Sequence, residues 1–317
     1  CKDKKQYYEE SGTVFHTLYT IKYEAPHILT DKIDAELQKF NLSLNPFNPN
    51  SIIAKVNNNE AVEVDEWFTE VFNKSMEVSR NSDGVFDITC APLVNLWGFG
   101  FNKKDSVTPA MIDSLKTFVG YRKVHLEGKK VVKDDPRLLL NCSAIAKGYS
   151  CDVIARLLEK EGVENYMILI GGEVVVKGVN QNGVCWRTGI NLPEDDPDGI
   201  KNNYDEIVQL CKKGAIATSG NYRNFYIKDG KKYAHTIDPR TGYPAEQSVL
   251  SATIVANDCM TADAYATAFM AMGLEKARQM ADSLPEIEYY VIYADENGKH
   301  QIEYSKGMLQ YLPKRKQ

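Results

Sequence analysis

The chain has 317 residues, enough for one large domain or two smaller ones with a substantial buried core. Hydrophobic residues make up 43% of it and charged residues 26%, an ordinary globular mixture, and the formal net charge of -5, with no block of Lys and Arg in the folded part, excludes nucleic acid as the main partner. No apolar run reaches the length that a membrane-spanning helix needs.

Cys1 is followed by Lys-Asp-Lys-Lys and a polar run without hydrophobic period to about Gly12, so 1–12 reads as a flexible tether ahead of a single domain over 13–317. A mature bacterial lipoprotein opens in this way. That reading puts an acyl anchor on Cys1 and the protein on the periplasmic side of the cytoplasmic membrane; the other reading is a sequence that merely begins at a cysteine. The remaining cysteines, at 90, 142, 151, 185, 211 and 259, show neither C-x-x-C spacing nor the density of a disulfide scaffold, and read as small buried apolar residues.

Residues 13–23 (TVFHTLYTIKY) alternate and are rich in β-branched and aromatic types, which predicts a strand. Thr30 reads as the N-cap of a helix with Ile33, Leu37 and Phe40 on one face. The prolines and asparagines of 43–51 make a loop, and a second helix starts after Asp65 with Phe68, Val71, Phe72 and Met76 inward. Residues 84–101 (GVFDITCAPLVNLWGFGF) read as an apolar core segment in which Asp87 caps a turn. Thr108-Pro109 signals a third helix stopped by Gly120, and a hairpin turns near Glu127-Gly128.

An apolar run ending at Leu140 then reads as a strand, followed by small residues and a helix from about Lys147 whose buried stripe is Val153, Ile154, Leu157 and Leu158. Strands follow at 166–170, 173–179 and 184–191, with a Gly171-Gly172 turn, and then an exposed loop over 193–203. From Ala215 the pattern is β again, with Asp229-Gly230 as a hairpin turn and a strand at 248–256. A helix from about Asp258 to Met272, another over 274–282 and a hairpin turning at 295–298 complete the chain. Hairpins mixed with separate helices, without repeats, define an α+β class rather than a doubly wound parallel sheet.

Four stretches offer chemistry. Leu140 to Asp152 (LNCSAIAKGYSCD) is a tight small-residue turn into a helix, where unpaired backbone groups can receive a phosphate or a cation, although most such turns bind nothing. Asp263 and Thr267 lie four apart on one helix face. Together they offer hard oxygen ligands suited to Mg²⁺ rather than zinc, with a carbonyl of the Ser143-Ala144 turn to complete the set; a capping Asp263 and a core Thr267 fit the same spacing. His235, beside Asp238-Pro239-Arg240-Thr241-Gly242, suits a general base or a structural role, and Ser219-Gly220-Asn221-Tyr222-Arg223 either contacts a substrate or makes a turn.

In their joint order these stretches resemble the ApbE family, the FAD:protein FMN transferases. The resemblance runs from about Phe15 to Gly273 and rests on the Phe47-to-Asn57 loop with its proline and Ser51, GVFDITCAPLVNLWGFG, SAIAKGYSCD, Gly171-Gly172-Glu173, TSGNYRN, HTIDPRTGYP and the D-x-x-x-T of Asp263 and Thr267. It implies a T-fold-like α+β domain of mixed sheets and packed helices with the nucleotide site in a cleft between them. It implies transfer of the FMN half of FAD to a threonine hydroxyl of a target protein, with release of AMP. Mg²⁺ would be held by the Ala144 carbonyl, Asp263 and Thr267, and His235 with Asp263 would be catalytic. Phe15, Phe47, Val85, Phe86, Asp87, Asn141, Lys147 and Ile237 would contact FAD, and the acceptors would be threonine-bearing subunits of membrane redox complexes. The chain departs from the family where Asn141 stands for an acid and His16 for a glycine. Three other readings use the same residues: an Mg²⁺-dependent FAD pyrophosphatase with water as nucleophile, a lipoprotein that only carries flavin, and a flavin oxidoreductase, which lacks a dinucleotide fold here.

Overall fold

The computed structural model describes residues 5–99, 107–194, 203–221, 225–228, 231–234, 236–245 and 248–313, with 225–228 and 231–234 described by their backbone. The N-terminal part comprises β1 (Gln6–Val14), β2 (Thr17–Ala25), α1 (Thr30–Leu44), α2 (Ile52–Asn57), α3 (Glu66–Asn81), α4 (Ala91–Leu96) and α5 (Pro109–Lys116). The middle holds β3 (Val124–Glu127), β4 (Lys130–Lys133), α6 (Ala146–Lys160), β5 (Tyr166–Ile170), β6 (Glu173–Lys177), β7 (Trp186–Asn191), β8 (Tyr204–Leu210) and β9 (Gly214–Gly220). Then come β10 (Phe225–Lys228), β11 (Lys231–Ala234), β12 (Ile237–Asp238), β13 (Tyr243–Pro244), β14 (Val249–Ala256), α7 (Cys259–Met272), α8 (Leu274–Asp282), β15 (Ile287–Ala294) and β16 (His300–Tyr304).

Eight strands form one sheet in the order β1-β2-β5-β6-β9-β14-β15-β16, antiparallel at every pairing. Its inner strands are buried on both faces. In β6, Val175 joins a core with β2, α1 and α6, whereas Val174 and Val176 face Trp186, Val208 and Leu210 of the β7–β8 hairpin, as the two-residue period of a strand requires. The α+β class is as expected.

The element that positions the site is α7. It is buried almost all round, packing on β9, β14, α6 and α3, and Asp263 within it is only 2% exposed. A polar group on such a helix must find its partner inside the protein. The partner helix comes close because of one residue. A Cβ on Gly148 would stand 2.2 Å from the Cys259 carbonyl oxygen and 2.7 Å from Asp263 Cβ, so only glycine permits this approach of α6 to α7.

Several expectations change. Residues 6–12 are not a tether but the first part of β1, paired along its length with β2. The strand hides its period because it is a sheet edge carrying charge outward, while Tyr8 stacks on Tyr23 at 5.6 Å and the buried Glu10 accepts the Tyr23 hydroxyl. Cys1 lies outside the described residues. The strand expected over 13–23 is broken at Phe15 and His16, whose φ values of 52° and 59° make a two-residue hairpin turn. This left-handed backbone favours glycine, which is why His16 stands out at that position.

The apolar run ending at Leu140 is extended but belongs to no sheet. Leu138 and Leu140 are buried, and the Asn57 side chain takes the place of a neighbouring strand, its Nδ2 donating to the Leu140 carbonyl at 2.9 Å and its Oδ1 accepting the Leu140 N–H at 2.7 Å. The short helices α2 and α4 and the strand β8 were not foreseen. The cysteine reading is corrected at two positions: Cys185 and Cys211 form a disulfide, 26 residues apart, at the base of the β7–β8 hairpin. Cys90, Cys142, Cys151 and Cys259 are buried free thiols. Most of the loop expected over 193–203, from 195 to 202, lies outside the described residues. Among the described residues no helix is long and apolar enough to cross a membrane.

Candidate active site

A cavity of about 430 Å³ opens beside α7, within the range that holds small ligands. Val85, Phe86 and Asp87 form one wall, and Asn141, Ser143, Ala144 and Lys147 at the start of α6 form another. The turn at Gly171 and Glu173, the end of β9 at Thr218 to Gly220, and Thr236 and Ile237 close it against Asp263 and Thr267 of α7.

At its floor Asp263 Oδ2 accepts the Gly148 N–H at 2.9 Å. In a regular helix that N–H would close on the carbonyl of Ala144, four residues back. It does not, although the neighbouring Tyr149 N–H does reach Ile145. The Ala144 carbonyl, on the cavity wall, is thus left without its helical donor. Thr267 Oγ1 lies 3.3 Å from Ser219 Oγ across the same floor. Lys147 Nζ stands 2.7 Å from Glu173 Oε1 and 3.6 Å from Asp263 Oδ1. Burial alone would pull the Lys147 ammonium down in pKa, but the charges of Asp263 and Glu173 outweigh it and hold the group protonated. Burial raises the Glu173 carboxyl above the usual range; Asp263 adds to this and Lys147 opposes it.

The donors suit a hard cation. Among the described residues no three His, Cys, Asp or Glu side chains gather as a metal cage. What the floor offers is one carboxylate, one hydroxyl and one freed carbonyl, an incomplete oxygen set of the kind Mg²⁺ completes with water and substrate phosphate. Lys147 and the N-terminus of α6 add positive potential for an anion beside it. Cys90 also lines the cavity, but burial pushes its thiol far up, so it is not a nucleophile.

Of the residues expected at the site, Val85, Phe86, Asp87, Asn141, Ala144, Lys147, Ile237, Asp263 and Thr267 all line this one cavity. Phe15 and Phe47 are not among its walls. Phe15 packs on Phe40 at 5.2 Å between ring centres, and Phe47 is 51% exposed with its ring edge-on to His16. His235 lies outside the described residues. Asp87 is a turn cap, as its position suggested: Oδ1 accepts the Thr89 N–H and hydroxyl, and Oδ2 accepts the Tyr121 N–H at 2.8 Å. Asn141 accepts the Ser143 N–H at 2.9 Å and the Ser143 hydroxyl at 2.6 Å through Oδ1. An aspartate would offer the same oxygen to the same turn, so the exchange of acid for amide preserves the local fold.

Glu173 was missed. It is 4% exposed, lines the cavity and opens a strand whose next three residues are buried valines. A carboxylate directly before an apolar run, after two glycines, was the available signal.

An antiparallel sheet backed by a buried helix, with oxygen donors and one ammonium gathered at the floor of a cavity, defines an α+β protein with a small-ligand site of mixed oxygen-donor and cationic character. The chain belongs to the ApbE family, whose pattern matches residues 15–291. It is 36% identical over 294 residues to the FAD:protein FMN transferase of Vibrio cholerae, covering 89% of this chain and 86% of that one. With the Escherichia coli K12 protein of the same name the identity is 33% over 261 residues, 80% of this chain and 73% of the other. The solved structure of flavin transferase ApbE from Vibrio cholerae superposes with a TM-score of 0.87 at 34% identity, covering 98% of this chain and 100% of that one. The apo flavinyl transferase ApbE of Pseudomonas stutzeri gives 0.85 at 26% identity, with 97% of each chain covered.

Proposed function

We propose that this protein transfers the FMN half of FAD to a threonine hydroxyl of an acceptor protein and releases AMP, with Mg²⁺ at the cavity floor. The observation that carries the reading is the freed Ala144 carbonyl beside Asp263 and Thr267, with Lys147 adjacent. These three oxygens would hold the cation. When bound, it would supply charge neutralisation on the pyrophosphate.

The remaining steps belong to the chain's own residues. Lys147 and the α6 N-terminus bind phosphate oxygens and draw charge from the phosphorus under attack. Val85, Phe86 and Ile237 give apolar walls that hold the flavin half and exclude water. The threonine oxygen forms a bond to the FMN phosphorus as the bond from that phosphorus to the bridging oxygen breaks and AMP departs. The hydroxyl proton passes to a base, the role that the resemblance gives to His235. A location outside the cytoplasm is part of the same proposal; the Cys185–Cys211 disulfide supports it, because such bonds persist in oxidising compartments.

The test is AMP release from FAD in the presence of Mg²⁺, with and without an acceptor. Asp263→Ala is expected to reduce it by at least about 100-fold, since it removes the one carboxylate of the set. Undiminished release would rule out the assigned floor. Release that ignores the acceptor and yields free FMN would make the protein a pyrophosphatase.

A further inference from the structure

Glu173 has no part in the mechanism above, yet it is the closest charged neighbour of Lys147. It is held by the sheet, pairing with Ile170 at the first position of β6, and its second oxygen, Oε2, is buried without a hydrogen-bond partner. Among the described residues its charge is therefore answered at Oε1 by Lys147 alone, at 2.7 Å. The Lys147 stem is confined as well. A Cβ on Gly171, whose φ is +65°, would stand 3.1 Å from Lys147 Cδ and 3.1 Å from Thr17 Cγ2, so the turn lies directly against the stem. With the stem fixed, the ammonium has two carboxylates to choose between, Glu173 and Asp263, and it sits nearer Glu173.

We propose that Glu173 is a positioning residue that holds the Lys147 ammonium off Asp263, and so keeps Asp263 Oδ1 open to a divalent cation. Without Glu173, a half-buried ammonium would lack its nearer partner and close on the remaining carboxylate, because a partly desolvated charge left unpaired is costly. That closure would occupy a ligand oxygen and bring a positive charge to the place a cation needs. The pair thus separates two tasks on neighbouring groups: Asp263 for the cation, Lys147 for the phosphate. The inference rests on the metal reading given above and deepens it.

The experiment titrates Mn²⁺ alone, without FAD, into the purified protein and follows the free-ion signal by electron paramagnetic resonance. Mn²⁺ shares the oxygen-ligand preference of Mg²⁺. Glu173→Ala is expected to weaken binding about tenfold or more, as loss of an outer-shell partner does, while Glu173→Gln, which keeps an acceptor oxygen for Lys147, stays within about threefold of wild type. The double variant Glu173→Ala/Lys147→Met, which leaves no unpaired ammonium and so guards against a folding defect, should return to within about threefold of wild type. Unchanged binding in Glu173→Ala, equal losses in the Gln and Ala variants, or a double variant as weak as Glu173→Ala would each overturn the proposal. Asp263→Asn separates the two levels. If that change leaves Mn²⁺ binding intact, or wild type binds none, the metal reading itself fails; if it abolishes binding while Glu173→Ala does not alter it, only the role of Glu173 is lost.

Discussion

Gly148 gives its backbone N–H to Asp263 at 2.9 Å, and the carbonyl of Ala144, a residue of the cavity wall four positions back, is left without its helical donor. One bond between two buried helices thus both fixes the carboxylate and frees a second oxygen. A glycine is required there because any side chain would meet the backbone of α7.

Gly148→Ala is accordingly expected to force α6 and α7 apart. Overpacking of this kind costs about 2 to 3 kcal/mol, visible as a lower midpoint in urea unfolding, and activity should fall further than stability because the Asp263 contact is lost. A variant as stable and active as wild type would contradict the close-approach argument.

Asn57 acts at a distance from the chemistry. Its carboxamide satisfies both backbone groups of Leu140, and the next residue, Asn141, gives its N–H to Ile88 at 2.7 Å and shapes the turn that carries Ala144. Asn57→Ala leaves a buried N–H and carbonyl unpaired, at about 1 to 3 kcal/mol, and should raise the KM for FAD more than it lowers kcat. Equal changes in both would mean that the segment is held by other contacts.

Much of this was legible in the sequence, for physical reasons that differ by residue. The helix starts at Asp65 and Asp258, the Thr108-Pro109 start and the Asp263/Thr267 spacing are local, and each appears where expected, Asp65 Oδ1 accepting the Phe68 N–H at 2.8 Å and Asp258 Oδ1 the Thr261 N–H at 2.8 Å; Thr30 is instead the first residue of α1, and Leu29 holds the cap position without a side-chain hydrogen bond. Contacts between distant segments were not legible. The partner of Leu140 is a side chain 83 positions away, and the lysine that gives Glu173 its meaning is 26 away. The strand β1 was lost because an edge needs charge more than it needs a hydrophobic period, and the disulfide because its cysteines stand 26 positions apart, one just before β7 and one just after β8.

The disulfide closes the β7–β8 hairpin over the face of the sheet away from α7. Cys185→Ser/Cys211→Ser should lower stability by about 2 to 4 kcal/mol and leave the KM for FAD unchanged, since neither residue lines the cavity. Reductant should lower the melting temperature of the wild type and not of the variant. No response to reductant in the wild type would contradict the bond.

Asp152 ties α6 to the first turn of α7, accepting the Cys259 N–H at 2.9 Å and the Met260 N–H at 2.8 Å. Burial raises its carboxyl from 3.8 to about 7. A carboxyl whose folded pKa is raised binds its proton more tightly when folded, so its contribution to stability is full below the unfolded value and is lost as pH rises through the folded one. Asp152→Asn should therefore remove a decline in melting temperature between about pH 4 and 7 that the wild type shows. Parallel pH profiles for the two proteins would contradict the assignment.

The most direct measurement is the intact mass of a threonine-bearing acceptor domain after incubation with this protein, FAD and Mg²⁺, alongside the same domain with that threonine replaced by alanine. The account predicts a gain of one FMN residue on the threonine form, with an equal amount of AMP, and none on the alanine form. An unmodified threonine form in the presence of free FMN and AMP would contradict it.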